Sequence, residues 1–478
     1  MQKQKGLQFI IAALVVLYAI YCYNPFALWF QNDDFIHIPL SANGELLQHN
    51  SFRPVCDISI MVDYWLWGKE AYGYHLTNLL LHLTASTLLY FLMRLILEKY
   101  FDLDQTKRIS LFSAILFFIY AMHSESVFWI LGRSSVLALI FSICFLYSYL
   151  KRYDAKKFIG CYIVSFILCL LTYESTWVLL PFCLAISFID SKQRSTKQEW
   201  LHTAIISLIF FFYLLVRYSF IHEIAGKYEA AAFHNGDIRT ILVNYLLLLL
   251  RTISPFFDND ILLLSGFAAS FILLVILFIG LEKKVFQKIL LLSLFFFVSL
   301  IPYCSLGIDT HGTESERFLY LPEAIFCIII GLIIQFAKNS KKIKLITVFF
   351  ILSLHMITLT AISDNYILAG KVNKIIVQEL EKSETKKIVY VEGLPRAQHG
   401  ALILRAGLPE MVHWMAGNKG IDSAIICSQR NELQPLQDPY DVIYSNENNP
   451  GCRGLQNETI PKSSILFRFT DSVLYITN

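Results

Sequence analysis

Two adjacent acids follow the first apolar run. The stretch NDDFIHIPL places Asp33 and Asp34 where that run ends. Two carboxylates so close cannot both be comfortable as anions, so one pKa should rise toward the range of a useful general base. Taken alone, the pair is equally an ordinary solvated helix cap. Other polar residues shift the balance. Arg53 follows in SFRPVCD, and His75, Asn78 and His82 recur at spacings of three and four, on one helical face. A satisfied core network is the plainer reading of those histidines. His123, Glu125 and Arg133 share HSESVFWILGR, and Glu174 lies in TYES. Glu316 and Arg317 open ERFLYLPEAIFC, beneath a loop with Asp309, His311 and Glu314. Ionisable residues at the edge of apolar segments are costly, and by default they mark function. Carboxylates can move protons, and the planar fork of arginine grips phosphoryl oxygens. Together they suit group transfer from a phosphorylated, membrane-held donor.

Such residues need a scaffold, and the composition says which kind. The 478 residues are 56% hydrophobic and only 16% charged, with 38 Phe and 25 Tyr. Repeated apolar runs of about twenty residues read as membrane-spanning helices. The first run, 7–30, is too long for a signal-peptide core and no small-residue cleavage pattern follows it, so it reads as a retained span. Further runs lie at 73–97, 109–122, 134–150, 158–172, 175–189, 201–219, 239–257, 262–281, 286–302, 318–337 and 343–362, twelve in all. The net charge of +3 is unremarkable, and its Lys and Arg residues sit in short joints between runs, giving no sign of a nucleic-acid partner.

The positive-inside rule sets the sides. The basic joints are Lys3/Lys5, 99–108, 151–157, 192–197, 282–288 and 338–344. Twelve full crossings would put 282–288 outside. If 239–257, with its Arg239, Asn244, Arg251 and Pro255, lies along the outer surface or dips in and returns, every basic joint is cytoplasmic. The expectation is therefore a polytopic all-α membrane protein of about eleven spans, N-terminus in and C-terminus out. The loop 31–72, the turns 123–133 and 172–175, and the loops 220–238 and 305–317 then all face outward. The loop 31–72 has an amphipathic stretch, with Trp65 and Trp67 as interfacial anchors, that would lie along the membrane.

Residues 1–362 thus read as a transmembrane bundle and 363–478 as a small extracytoplasmic α/β appendage. Strand-like runs appear at 386–394, 421–428, 441–447 and 464–469, and ALILRAGLPEMVHWMAG has helical spacing broken once by Pro409. The tail shows no nucleophile elbow, P-loop or Rossmann fingerprint. Six cysteines (22, 144, 161, 169, 183, 327) fall in apolar runs and read as small core residues. Cys427 and Cys452 share the polar tail and could pair. No Cys/His spacing points to a metal.

The segments NDDFIHI, SFRPVCDISIMVDYWLWGKEAYGYHLTNLLLHLTASTLLYFL and FFIYAMHSESVFWILGRSSVLALIFSICFLYSYL resemble the transmembrane O-mannosyltransferase family with tetratricopeptide repeats and its repeat-less bacterial relatives. The later ESERFLYLPEAIFCIIIGL matches the same family's penultimate-span signature. These belong to the C-type glycosyltransferase superfamily. The resemblance covers roughly 1–362 and is most specific over 31–150 and 314–337. It implies that superfamily's helical fold, a catalytic acid on the first outer loop, and a polyprenyl-phosphate monosaccharide donor. The sugar would pass with inversion to a glycan, lipid or protein acceptor on the non-cytoplasmic side.

Carried over by position, the resemblance puts the diacidic motif on Asp33 and Asp34, Arg-Pro on Arg53 and Pro54, and the second-span histidines on His75 and His82. The histidine–acid turn falls on His123 and Glu125, its Gly-Arg on Gly132 and Arg133, and the late Glu-Arg on Glu316 and Arg317. Two positions depart: Ser124 stands where the family usually has Pro, and Tyr173-Glu174 where it often has Lys-Glu. The repeats are absent. On this reading Asp33 is the general base, with Asp34, Glu125 or His123 orienting hydroxyls. Arg133 and Arg317 bind the donor phosphate, with Arg53 closing over it. No cofactor is required, and a divalent metal is optional. A bacterial inner membrane fits the short joints. A polymerase or ligase using lipid-pyrophosphate oligosaccharides would share the anion-binding logic. A transporter or flippase should show inverted repeats and broken helices near the midplane, and a scaffold protein would tolerate loss of Asp33.

Overall fold

The structure, a computed structural model, describes residues 2–45, 52–100, 106–191, 196–222, 237–254, 261–308, 312–382, 388–405, 407–416, 423–426, 429–430, 441–444, 464–469 and 473–477. Asp309, His311, Pro255, Cys427 and Cys452 lie outside them, as does most of the loop 220–238.

Every apolar run forms a helix, because a chain in hydrocarbon must satisfy its own backbone. In order these are α1 (Gln2–Tyr23), then α2 (Asp34–Ala42) and α3 (Pro54–Trp67) of the first loop, α4 (Ala71–Tyr100), α5 (Thr106–Ile119), a short α6 (Glu125–Phe128) and α7 (Arg133–Leu150). There follow α8 (Lys157–Leu170), α9 (Leu179–Ser191), α10 (Thr196–Ile221), α11 (Ile238–Ile253), α12 (Ile261–Ile279), α13 (Lys283–Leu300), α14 (Tyr320–Phe336) and α15 (Lys341–Lys382). Among the described residues, six helical stretches are long and apolar enough to cross a membrane: Ala71–Tyr100, Ile130–Leu150, Gln198–Ile221, Val285–Tyr303, Glu316–Phe336 and Lys341–Lys382. The chain is a mostly helical integral membrane protein with a small C-terminal sheet. The arms α8 and α9, with 14 and 13 residues, fall short of the roughly 17 that a full crossing needs.

The first run is shorter as a helix than as a hydropathy peak. It stops at Tyr23 because Asn24 precedes Pro25, and a residue before proline is driven out of the α region. The chain then turns into the first outer loop. There α3 starts with Pro54 at its first position and ends at Gly68, whose φ is 57°. Cys56, Ile60 and Asp63 face inward, while Trp65 is 69% and Leu66 66% exposed. The helix thus has one buried and one exposed face.

Several basic joints meet. Lys99 at the end of α4 bonds Asp190 at the end of α9 (2.9 Å), and the Tyr100 hydroxyl donates to the same carboxylate (3.2 Å). Arg152, beyond α7, reaches Asp190 (3.4 Å) and also pairs with Glu199 in α10. Elsewhere the Lys338 N–H donates to the Gly280 carbonyl (3.0 Å) and its ammonium lies 3.5 Å from Glu282. By contrast α11 contacts the turns at the other ends of its neighbours. Asn244 donates to the Cys304 carbonyl (2.9 Å), and the Thr252 carbonyl accepts from the Tyr120 hydroxyl (2.6 Å).

Helix α15 has 42 residues, about 63 Å of helix against roughly 30 Å of hydrocarbon. It runs unbroken through residues 362 and 363, where the composition changes. Its far half carries the C-terminal region. The strands there are β1 (Ile388–Glu392), β2 (Leu394–Pro395), β3 (Ala397–Gln398), β4 (Ala401–Leu402), β5 (Ser423–Ile426), β6 (Gln429–Arg430), β7 (Asp441–Tyr444), β8 (Ser464–Phe469) and β9 (Val473–Thr477). Five of them form one sheet in the order β5-β1-β8-β9-β7. It is parallel except for the β8–β9 pair, where Phe467 lies opposite Ile476. The stretch expected to be a helix interrupted by Pro409 divides differently. Ala401 and Leu402 pair with Gln398 and Ala397, and α16 (Leu408–Ala416) begins only afterwards. Pro409 opens that helix, a position where its missing N–H costs nothing.

Candidate active site

The turn after α1 presents the acid pair. Asn32, with a left-handed φ of 47°, turns the chain so that Asp33 becomes the residue before α2. The Asp33 carbonyl accepts the N–H of Ile36 (3.0 Å) and of His37 (2.9 Å). Its half-buried carboxylate makes no hydrogen bond or ion pair among the described residues. Asp34 is buried, and its Oδ2 accepts the Gln31 N–H at 2.9 Å. Burial raises its carboxyl well above the usual range against the pull of that N–H, and the charge of Asp33 pushes the same way as burial.

Arg53 lies just before α3. Its Nε and Nη2 both donate to Glu174 Oε2, at 3.0 and 2.8 Å, and its guanidinium stacks on the Tyr173 ring at 4.4 Å. A second arginine, Arg217 of α10, bonds the other oxygen of Glu174 (2.9 Å) and the Tyr213 hydroxyl (3.2 Å). Burial pushes the Glu174 carboxyl up, but Arg53 and Arg217 outweigh it and hold the group below its ordinary value. Two guanidiniums on one carboxylate leave a net positive charge. Tyr173, where the resemblance expects Lys, serves as the platform for Arg53.

On the next turn, Arg317 holds Glu125 with both its backbone and its side chain: the N–H donates to Oε2 (2.9 Å) and Nη1 to Oε1 (2.6 Å). Burial raises the Glu125 carboxyl, and Arg317 opposes the rise. The guanidinium also lies over the Trp129 and Phe318 rings, at 5.1 and 4.9 Å. Glu316 turns the other way, paired with Arg251 of α11 and accepting the Ser124 hydroxyl at 3.1 Å. Ser124, the departure from the usual Pro, therefore links the second outer turn to the last.

Exposure divides the arginines. The Arg53 and Arg317 side chains are 32% and 24% exposed, while that of Arg133 is wholly buried. Arg133 pairs with Asp63 of α3 (2.5 Å) and donates to Asn78 Oδ1 (2.8 Å) and the Tyr74 carbonyl (3.2 Å). It fastens the surface helix to α4. The histidines lie in the core. His75 faces the Trp29 carbonyl (3.3 Å), His82 sits between the Tyr320 hydroxyl (2.7 Å) and the Phe118 carbonyl (3.0 Å), and His123 pairs with Glu323 (2.7 Å). The structure thus places Asp33, Asp34, Arg53, Glu125, Glu174, Glu316 and Arg317 on turns at helix ends, with Arg133 and the histidines buried.

Sequence reasoning did not single out Arg217, Glu323, Asp63 or Asp57, and noted Arg251 only as awkward. Arg217 and Glu323 lie inside apolar runs, where a charge is itself a signal. Asp57, in the first turn of α3, has its carboxyl pushed up to about 7 by burial, against the nearby Arg53. Among the described residues no group of three or more His, Cys, Asp or Glu side chains converges as metal ligands. Among the described residues these turns offer the uncommitted carboxylate of Asp33 and the part-exposed guanidiniums of Arg53 and Arg317, each held by a buried acid.

No family model matches the chain. It is 27% identical over 321 residues to protein O-mannosyl-transferase F38B6.6 of Caenorhabditis elegans, covering 62% of this chain and 44% of that protein. Human protein O-mannosyl-transferase TMTC4 is 28% identical over 177 residues, 35% of this chain and 22% of that one. Drosophila melanogaster Tmtc2 is 32% identical over 121 residues, 25% and 12%. The chain spans less than half the length of each of these relatives. Among solved structures, apo ArnT from Cupriavidus metallidurans aligns with 87% of this chain and 85% of its own, at a TM-score of 0.48 and 10% identity. The oligosaccharyltransferase AglB from Archaeoglobus fulgidus, in complex with an inhibitory peptide and a dolichol-phosphate, aligns with 86% and 64%, at 0.46 and 11%.

Proposed function

We propose, on the premise that this chain is related to the protein O-mannosyl-transferases, that it is an inverting membrane glycosyltransferase. It moves one sugar from a polyprenyl-phosphate donor to an acceptor hydroxyl on the extracytoplasmic face. The observation that carries the assignment of the base is the contrast at the outer turns. Glu125, Glu174 and Glu316 each bind arginine, while Asp33 is left uncommitted and half-open.

Asp33 takes the proton of the acceptor hydroxyl as its oxygen attacks the anomeric carbon. The bond from that carbon to the phosphate oxygen breaks, and the polyprenyl phosphate leaves with the electron pair. Arg53 and Arg317 meet the phosphate, since their guanidiniums are part-exposed where that of Arg133 is buried. Glu174 and Glu125 hold them in place, so little reorganisation is needed as charge develops. Arg133 supports this site from below and does not touch the phosphate. Asp34, accepting the Gln31 N–H, braces the base-bearing turn. A single displacement with one base inverts the anomeric centre.

An eleven-span topology goes with this reading, with 1–362 as the bundle and 363–478 as the outer appendage. It is supported by the joints that meet at Asp190 and at Glu282, and by α11, whose contacts lie among the outer turns. The test is incubation of the purified protein with polyprenyl-phosphate sugars and candidate glycan, lipid and protein acceptors, beside D33N. The variant should fold, reach the membrane and lose transfer. Full activity of D33N would remove Asp33 from the role.

A further inference from the structure

The C-terminal region does not hang free beside the bundle. Its first residues touch the turn that holds Asp33 backbone to backbone. The Asn32 N–H donates to the Ile403 carbonyl at 2.9 Å, and the Arg405 N–H donates to Asn32 Oδ1 at 3.0 Å. Asn373, buried in the outer half of α15, closes the arrangement by donating to both the Phe30 carbonyl (3.2 Å) and the Ile403 carbonyl (2.8 Å). Nearer the bundle along the same helix, the Tyr366 carbonyl accepts the Gln31 side-chain amide at 2.6 Å. Gly407, with φ +89°, comes so near that a Cβ there would lie 3.3 Å from the Asn32 carbonyl oxygen.

The same segment reaches the other outer turn. The Thr313 N–H donates to the His399 carbonyl at 3.2 Å. Gly400, with φ +84°, sits so close that a Cβ would fall 1.9 Å from the Thr313 nitrogen, so only glycine fits. Arg405 then bonds Glu314 through its side chain at 2.7 Å. Three residues further on is Arg317. Residues 396–405 therefore bridge the acid-bearing turn and the arginine-bearing turn, with Asn32 clamped at one end.

We infer that this segment is a strap that sets the catalytic geometry, and that Asn32 and Asn373 are positioning residues for Asp33. The inference rests on Asp33 being the base. Asn32 occupies a left-handed conformation that asparagine tolerates better than most residues, and its two bonds to 403 and 405 fix the direction in which the next residue leaves. A base must sit within hydrogen-bond reach of the acceptor hydroxyl, and displacement by about 1 Å can cost a hundredfold in rate. Neither asparagine meets the donor, so their loss acts on turnover and leaves donor binding as it was.

The experiment uses the full chain, purified in detergent, with a polyprenyl-phosphate sugar that the wild-type protein turns over. Asn32→Gly keeps the left-handed backbone unstrained and removes the side-chain bond to Arg405. Asn373→Ala removes the bonds to Phe30 and Ile403 from the other side, and serves if the first variant folds poorly. Both are expected to lower kcat by about tenfold to a hundredfold, with the donor KM and the melting temperature close to wild type. Wild-type kcat in both variants, beside an inactive D33N, would overturn the strap and leave Asp33 as base. An equal rise in donor KM would also overturn it, since the segment would then act in binding. An active D33N would overturn both.

Discussion

Arg53 is held at two of its nitrogens by one carboxylate oxygen, and that geometry makes its replacement informative. Arg53→Ala should lower kcat/KM about a hundredfold, the scale for losing one preorganised donor. Arg53→Lys should restore only part, because an ammonium cannot reproduce the fork; full recovery with Lys would mean that charge alone matters. Asp57 gives a pH signature. Its folded pKa of about 7 lies above the ordinary carboxylate value, so the folded state holds this proton more tightly than the unfolded one. The stability from that proton is full below the unfolded pKa and is lost as pH rises to about 7. Asp57→Asn should therefore be the more stable protein at pH 8, by on the order of 4 kcal/mol, and should match wild type near pH 4. Melting curves at the two pH values decide it. Asp33, Arg53 and Arg317 were legible from residue type and resemblance. Their partners were not all so. Glu174 gave no hint that Arg217 would reach its second oxygen, and Ser124 finds Glu316 192 residues away; only the folded chain makes such pairs.

At the scale of elements, α11 shows what a charge within an apolar run can signify. Its Arg251 is buried against Glu316 and donates to the Gly312 carbonyl, contacts that tie the helix to the turn before α14. Breaking a buried pair from one side leaves an uncompensated charge. Arg251→Ala should therefore cost about 3–5 kcal/mol, read as a fall in thermal stability in detergent. Adding Glu316→Gln should recover part of it, and additive losses in the double variant would argue against direct coupling. Helix existence was readable from hydropathy throughout, while helix ends were not. Pro25 cuts the first run short, and Pro409, expected to interrupt a helix, instead lies in the first turn of one. Both follow from the same ring, which disfavours a helical residue before it and is welcome at a first turn.

For the molecule as a whole, the proposed topology makes the sides testable. Single cysteines at Glu282 and Lys338, 3.5 Å apart as side chains, should react with an impermeant maleimide only after the membrane is opened. Cysteines at Glu314 and Arg405 should react in intact cells. A reagent-accessible Glu282 position in intact cells would restore a twelfth crossing. The boundary read at 362 from composition is a chemical change along one continuous helix. Composition registers where a segment leaves hydrocarbon, whereas helicity depends on spacing and packing, and Gly370 and Asn373 still pack against Trp29 and Phe30.

That continuity has a consequence for the order of events in the cell. The turn with Asp33 leaves the ribosome well before the residues that clamp it, Asn373, Ile403 and Arg405, which emerge some 340 to 370 residues later. Until α15 has been inserted and its far end delivered across the bilayer, the acid-bearing turn lacks its template. A partly synthesised chain would already display most of the arginines to passing lipid carriers while being unable to act on them. Completion of insertion and onset of turnover should therefore coincide, and an arrested chain ending before Asn373 should be stably embedded and catalytically silent.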